Sequence, residues 1–303
     1  MRIIRSLYRT VRKYYYFIPF QILRLAYLRG VRKKIQFSII GGQKCGTTSL
    51  AFYLNRHPAS SVLLAGKEPR FFSKYYKEKN LECIIMQNML PVRKAFDGKT
   101  LFFDATTEYC YLEEVPQRIY KHNPEMKLIF MVREPASRAF SEYMMHYNHA
   151  QDNVLFWEDP EGEYMSRLKD AGQYPFSWFI DEELRRIEET GSVSSAAFQY
   201  PDLLRRGIYS VQLERYYRYF KPEQILIVED KELKRDKKRT LYRIEDFLEI
   251  PHIRWTEKAL KDENLGLYRL PFPEECRSRL NRFFAPWNER FFEMIGRRMD
   301  WGK

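Results

Sequence analysis

Phe37 to Ser49, FSIIGGQKCGTTS, is an apolar run that breaks into glycines, one lysine and a row of hydroxyl residues. A buried strand that gives way to such a loop, and then to a helix N-terminus, aims backbone N–H groups and partial positive charge at an anion. Gly41, Gly42 and Gly46 permit positive φ and close backbone approach. Lys44 supplies a full charge, and Thr47, Thr48 and Ser49 can donate from the first helical turn. An ATPase loop of the Walker A type carries its lysine after the last glycine. Here the lysine comes two residues before Gly46. The stretch therefore predicts a cradle for a nucleotide-like anion, but not an ordinary ATPase.

Around this loop, strand and helix signals alternate. Gln36–Ile40, Leu101–Phe103, Lys127–Val132 and Gln224–Val228 read as strands. Continuous apolar runs such as KLIFMV fit strands buried on both faces. Helices are expected at Thr47–Asn55, Glu113–His122, Ser137–Tyr147, Ile208–Phe220, Lys237–Leu248 and Pro273–Phe292. Such alternation predicts an α/β fold with a central parallel sheet flanked by helices. Asn148 to Pro201 breaks the rhythm, with one helix expected at Phe179–Glu189, and reads as a lid or substrate wall.

The net charge of +12 over 303 residues is distributed unevenly. Residues 1–67 hold 13 Lys and Arg and no acidic residue, leaving the remainder at −1. Within residues 1–34, Ile3, Ile4, Leu7, Tyr8, Val11 and Tyr15 recur at near-helical spacing beside a stripe of Arg2, Arg5, Arg9 and Arg12. This basic amphipathic arm is expected either to lie on an anionic membrane surface or to pack on the body of the protein. No window has enough uninterrupted apolar residues to span a bilayer, and the pattern fits a signal peptide poorly. Cys45, Cys83, Cys110 and Cys276 lack zinc-site spacing, so no metal is expected, and the cysteine usage favours a cytoplasmic location. No nucleic-acid motif accompanies the aromatic run Tyr14–Phe17, and no nucleic-acid partner is expected.

A second anion site follows the KLIFMV strand. In VREPASRAFS, Arg133 emerges at the carboxyl edge of the sheet, where ligands bind in open parallel sheets, and its planar fork suits a phosphate. Ser141 lies in the next helix and can face the same space. Two anion loops at one edge match a nucleotide with phosphates at both ends.

These residues resemble the sulfotransferases that use 3′-phosphoadenosine 5′-phosphosulfate (PAPS), in particular the heparan-sulfate and related carbohydrate branch with its bacterial relatives. The resemblance covers roughly residues 36–250 and includes GGQKCGTTSL, KEPRFF at Lys67–Phe72, VREPASRAFSEY and RRGIY at Arg205–Tyr209. It implies a P-loop-like three-layer fold, with residues 35–303 as the sulfotransferase domain and residues 148–201 as an acceptor lid. It implies that Lys44 holds the bridging oxygen and sulfonate. The N–H groups from Cys45 through Gly46 and Thr47 to Thr48, with the threonine hydroxyls and Ser49, would cradle the 5′-phosphate. Arg133 and Ser141 would clamp the 3′-phosphate, and Glu68 would be the general base. The acceptor would be a hydroxyl, with an amine as the lesser alternative, on a carbohydrate or glycolipid-like molecule.

The chain also departs from the pattern. In FDATTEY, Phe103–Tyr109, Ala105 stands where a second family lysine would be, leaving Asp104 as a candidate to orient the acceptor or Lys44. The glycine-rich C-terminal phosphate loop is not evident, and Lys258–Arg269 stands in its place. His146 and His149 offer a weaker alternative base. A P-loop kinase using ATP and a non-catalytic membrane-surface protein with a nucleotide fold are the rival readings.

Overall fold

A computed structural model describes residues 34–62, 68–74, 76, 99–154, 162–193, 202–261 and 266–302. The arm expected over residues 1–34 therefore lies, apart from Lys34, outside the described residues, as do Lys67 and Cys83.

β1 (Phe37–Gly41) is buried along its whole length and leads through the glycine loop into α1 (Thr47–Arg56). β2 (Ser60–Val62), β3 (Leu101–Ala105), β4 (Lys127–Val132) and β5 (Ile225–Glu229) complete a sheet in the order β2-β3-β1-β4-β5. Every pairing is parallel. β1 is paired along both edges, by β3 and β4, and this largely apolar strand is buried on both faces. The chain winds to one side of β1 through β2 and β3, then crosses it to add β4 and β5. The strand order thus reverses between β1 and β4, which opens a crevice at their carboxyl ends.

α2 (Val115–His122) takes Pro116 in its first turn, where no N–H is needed. α3 runs from Pro135 to Gln151, longer than expected at both ends, with its proline likewise in the first turn. α6 (Tyr209–Tyr217) precedes β5, while α7 (Asp230–Arg235) and α8 (Lys237–Leu248) follow it. The sequence pattern missed β2, which is only three residues long, and α7, a short charged turn held by ion pairs instead of an apolar stripe. A glycine closes α9 (Glu274–Ile295): Gly296 sits at φ 62 as its left-handed C-cap.

The described part of the insertion holds two helices rather than one, α4 (Glu163–Lys169) and α5 (Phe176–Thr190). They pack against α3 and α9 in an apolar cluster separate from the sheet core, built on Phe140, Tyr143, Phe176, Phe179 and Phe284. Glu183 of α5 accepts hydrogen bonds from the backbone N–H groups of Leu204 and Arg205, 2.8 and 2.9 Å away, which ties this layer to the RRGIY segment. No described helix is long and apolar enough to cross a membrane.

Candidate active site

The loop after β1 is shaped by contacts that exclude side chains. A Cβ on Gly41, whose φ is 150°, would lie 2.3 Å from Cys110 Sγ and 2.9 Å from the Thr107 carbonyl oxygen. Gly46, at φ 82°, caps α1 in the left-handed region, and no side chain caps the helix. The first-turn N–H groups of a helix have no partners within it. Here Leu50 donates the first helical bond, to the Gly46 carbonyl 3.2 Å away, so the turn before it faces the cleft. Lys44 adopts φ 66°, an unusual region for a residue with a side chain, which is sustained only where surrounding structure enforces it.

Contrary to the expectation for Cys45, neither its side chain nor its N–H faces the cleft. Its N–H donates to the Gly42 carbonyl at 3.2 Å, which closes the loop on itself. Its thiol is fully buried against Tyr209 Oη, 3.5 Å away, and burial pushes its pKa up to about 11. Sequence spacing cannot tell an N–H that faces a ligand from one spent inside the turn.

Arg133, after β4, converges from the other side of the crevice. Arg133 Nη1 lies 3.4 Å from the Lys44 carbonyl oxygen, and Nη2 lies 3.3 Å from Tyr268 Oη. Its Nε is 3.6 Å from Asp230, whose carboxylate also holds Lys234 at 2.7 Å. Tyr268 is hydrogen-bonded to Ser141 as well. Burial alone would raise the Tyr268 phenol, but the charge of Arg133, these hydrogen bonds and the charge of Lys44 bring it below its usual value. The phenol thus marks a point of positive potential between Arg133 and Ser141.

The RRGIY segment supports both loops. Tyr209 Oη donates to the Arg133 carbonyl at 2.9 Å and stands 3.3 Å from the Arg133 N–H. Arg206 donates to Gln43, the residue before Lys44, at 2.6 Å. Arg138 and Glu142, fully buried one turn apart on α3, pair at 2.6 Å, and Glu142 also faces Arg206 at 3.6 Å. A buried charge without such a partner would be costly. Gly207 is required because a Cβ there would meet Phe284 of α9 at 2.9 Å.

On the β3 side stands Glu68, with φ 61°. Its N–H donates to the Ala105 carbonyl at 2.8 Å, and its Oε1 accepts from the Thr107 hydroxyl at 3.0 Å. Arg70, at φ 53°, pairs with Glu108 at 3.3 Å. Ala105 offers only backbone here. Asp104 turns away from the cleft, contrary to the expectation that it orients acceptor or Lys44. It is fully buried, and its two oxygens accept from the Thr106 and Tyr109 hydroxyls, each at 2.7 Å. Burial pushes its pKa up to about 7, against the pull of those two hydrogen bonds.

One cleft of about 560 Å³ is lined by Lys44, Gly46, Thr47, Thr48, Ser49, Glu68, Arg133 and Ser141. All the expected site residues except Cys45 therefore meet in one space. Across the sheet edge they follow the strand order, with Glu68 beside β3, Lys44 after β1 and Arg133 after β4. The same cleft is bordered by Thr107, Met145, Asp230, Lys237, Gly266 and Tyr268, which sequence reasoning did not assign. Of these, Gly266 and Tyr268 fall in Lys258–Arg269, the segment that stands where the family's C-terminal loop would be. Asn148 at the end of α3 fixes that segment by donating to the Leu267 carbonyl at 2.8 Å. His146 and His149 border no part of the cleft. His146 is fully buried against the Tyr164 hydroxyl at 2.9 Å, and burial lowers its pKa to about 3. Among the described residues, no residue of the insertion 148–201 lines the cleft, and no cluster of His, Cys, Asp and Glu could hold a metal.

The sulfotransferase domain family matches residues 34–264. Heparan sulfate glucosamine 3-O-sulfotransferase 5 of Mus musculus is 30% identical over 291 residues, spanning 87% of this chain and 72% of that protein. Heparan sulfate glucosamine 3-O-sulfotransferase 6 of Homo sapiens is 26% identical, over 92% of this chain and 77% of the relative. Among solved structures, a sulfotransferase from Alicyclobacillus acidocaldarius superposes with a TM-score of 0.61 at 23% identity, covering 88% of this chain and 98% of its own. That likeness concerns the fold. The chain belongs to the sulfotransferase family and is an enzyme of that class.

Proposed function

We propose that this member of the sulfotransferase family moves a sulfonate group from PAPS to a hydroxyl on a carbohydrate or glycolipid-like acceptor, with an amine as the lesser alternative. The observation that carries the reading is the order Glu68–Lys44–Arg133 along one cleft, base beside phosphate loop beside second clamp. Thr47, Thr48, Ser49 and the open first turn of α1 receive the 5′-phosphate. Arg133, Ser141 and the Tyr268 phenol surround the 3′-phosphate, so that Arg133 trades its bond to Tyr268 for a charge-assisted one. Lys44 faces the oxygen that bridges phosphorus and sulfur.

The acceptor oxygen attacks sulfur in line as the sulfur–bridging-oxygen bond breaks. Its proton passes to Glu68, already oriented by Thr107, and then to solvent. Charge accumulates on the departing 5′-phosphate, where Lys44 and the helix N-terminus stabilise it. Glu68 is needed because a hydroxyl is a weak nucleophile until its proton begins to leave. The products are the sulfate ester and adenosine 3′,5′-bisphosphate. The carbohydrate class is supported by the relatives, which are named for glucosamine 3-O-sulfation. Ala105 in place of the family lysine argues for an acceptor other than heparan sulfate. A kinase reading is disfavoured because Asp230, the acidic residue after β5, is engaged by Lys234 and Arg133.

Radiolabelled sulfonate transfer into glycan and lipid extracts tests this. Lys44→Ala and Glu68→Gln are expected to abolish transfer while the proteins stay folded. Near-normal turnover by Glu68→Gln removes it as the base, and transfer of phosphate from ATP refutes the donor assignment. For residues 1–34 the proposal rests on sequence alone: a cytoplasmic enzyme held peripherally on anionic membrane. Unchanged partitioning onto phosphatidylserine vesicles after deletion of the arm refutes it.

A further inference from the structure

We propose that Asp104 is a positioning residue, a two-point anchor that holds the loop bearing Glu68 against the end of β3; the proposal rests on Glu68 acting as the base. Glu68 and Arg70 both occupy the left-handed region, so this loop does not hold its shape through favourable backbone geometry. Besides the Arg70–Glu108 ion pair and the Arg118 bonds to the Phe72 and Ser73 carbonyls, three N–H groups at alternate residues tie it to the β3 segment. The Glu68 N–H reaches the Ala105 carbonyl at 2.8 Å. The Arg70 N–H reaches Thr106 Oγ1 at 3.3 Å, and the Phe72 N–H reaches Tyr109 Oη at 2.9 Å. The spacing is that of a strand added to β3, but two of the three acceptors are side-chain hydroxyls.

A hydroxyl rotates, and it presents a lone pair in one fixed direction only where its own proton is committed elsewhere. Asp104 commits both protons: Oδ1 takes that of Thr106 and Oδ2 that of Tyr109, each at 2.7 Å. In its ionised form, which those two hydrogen bonds favour, the carboxylate aims two acceptors at the loop, and through the next residue it also sets Thr107, which holds Glu68 Oε1. An asparagine side chain has the same shape but only one acceptor oxygen; its amide nitrogen donates and cannot take the second proton. A neutral isostere is therefore expected to release one of the two anchors without opening a cavity. Small misplacement of a catalytic group lowers the rate of the chemical step far more than it weakens binding elsewhere in the cleft.

The test uses the full chain carrying Asp104→Asn, Thr106→Val or Tyr109→Phe, with Glu68→Gln in parallel. For each anchor variant kcat is expected to fall roughly 10- to 100-fold. The affinity for adenosine 3′,5′-bisphosphate and the KM for the donor are expected to stay within about twofold, because Lys44, Arg133 and Ser141 are untouched. A merely structural residue would lower nucleotide affinity and kcat together as the sheet edge loosens. Wild-type kcat in Asp104→Asn beside an inactive Glu68→Gln overturns the anchoring alone. Loss of kcat only in step with nucleotide binding overturns it too. If Asp104→Asn fails to fold, Thr106→Val and Tyr109→Phe, which each delete one acceptor, decide by the same split. Turnover retained by Glu68→Gln removes the base, and the anchoring with it.

Discussion

Replacing Arg133 by alanine should weaken binding of adenosine 3′,5′-bisphosphate far more than binding of adenosine 5′-phosphate. Arg133 is one-fifth exposed, and its fork is spread over the Lys44 carbonyl, the Tyr268 phenol and Asp230. A hydrogen bond to a charged group contributes about 1.5–3 kcal/mol, and a phosphate accepts two from a guanidinium. The upper sum is about 6 kcal/mol, but the bonds now made to Lys44 and Tyr268 must loosen and solvent screens the exposed part. A net of about 3 kcal/mol is reasonable, roughly two orders of magnitude in Kd. The monophosphate lacks the group that Arg133 grips, so its Kd should rise less than about threefold through the slackened contact to Lys44. Asp230 keeps its partner Lys234 at 2.7 Å, which protects the fold. Titration calorimetry of both nucleotides against both proteins closes the cycle, and Tyr268→Phe should show the same selectivity on a smaller scale. Equal weakening of the two nucleotides would refute the reasoning, since Arg133 would then support the loop and not recognise the 3′-phosphate.

Two further outcomes bear on the framework. Gly41→Ala should lower stability by about 2 kcal/mol or more, because its Cβ would collide with Cys110 Sγ and its φ of 150° suits glycine. A thermal midpoint within about 1 °C of the parent would contradict this. The acid limb of stability should include His122, whose buried ring accepts the Ile35 N–H at 3.1 Å and whose pKa burial lowers from 6.5 to about 4. Between those values the unfolded chain binds a proton that the native state refuses, so stability falls as pH drops from 6.5 toward 4. Its share of the slope is about 1.4 kcal/mol per pH unit, and His122→Leu should flatten urea-unfolding free energies by that amount across the window. An unchanged slope would show that His122 takes up its proton in the folded state.

Much of the site was legible because its signals are local. FSIIGGQKCGTTS carries strand, turn and helix start within one short stretch, and β1 and α1 follow it to within a residue or two. The same holds for KLIFMV and the arginine after it. What stayed hidden depends on direction and on distant neighbours. The N–H of Cys45 faces inward, and Asp104 serves the Glu68 loop instead of the cleft. Tyr268 reaches Arg133 from far along the chain.

By itself, the sequence determined a parallel α/β sheet with a glycine-and-lysine loop after its first strand and an arginine after a later one, because periodicity and glycine chemistry act over a few residues. Only the tertiary structure decided which hydrogen-bonding groups face the cleft and that Glu68, Lys44 and Arg133 follow one another across it. The strand order β3-β1-β4 sets that line, and strand order is fixed by long-range pairing of buried strands, not by any local pattern.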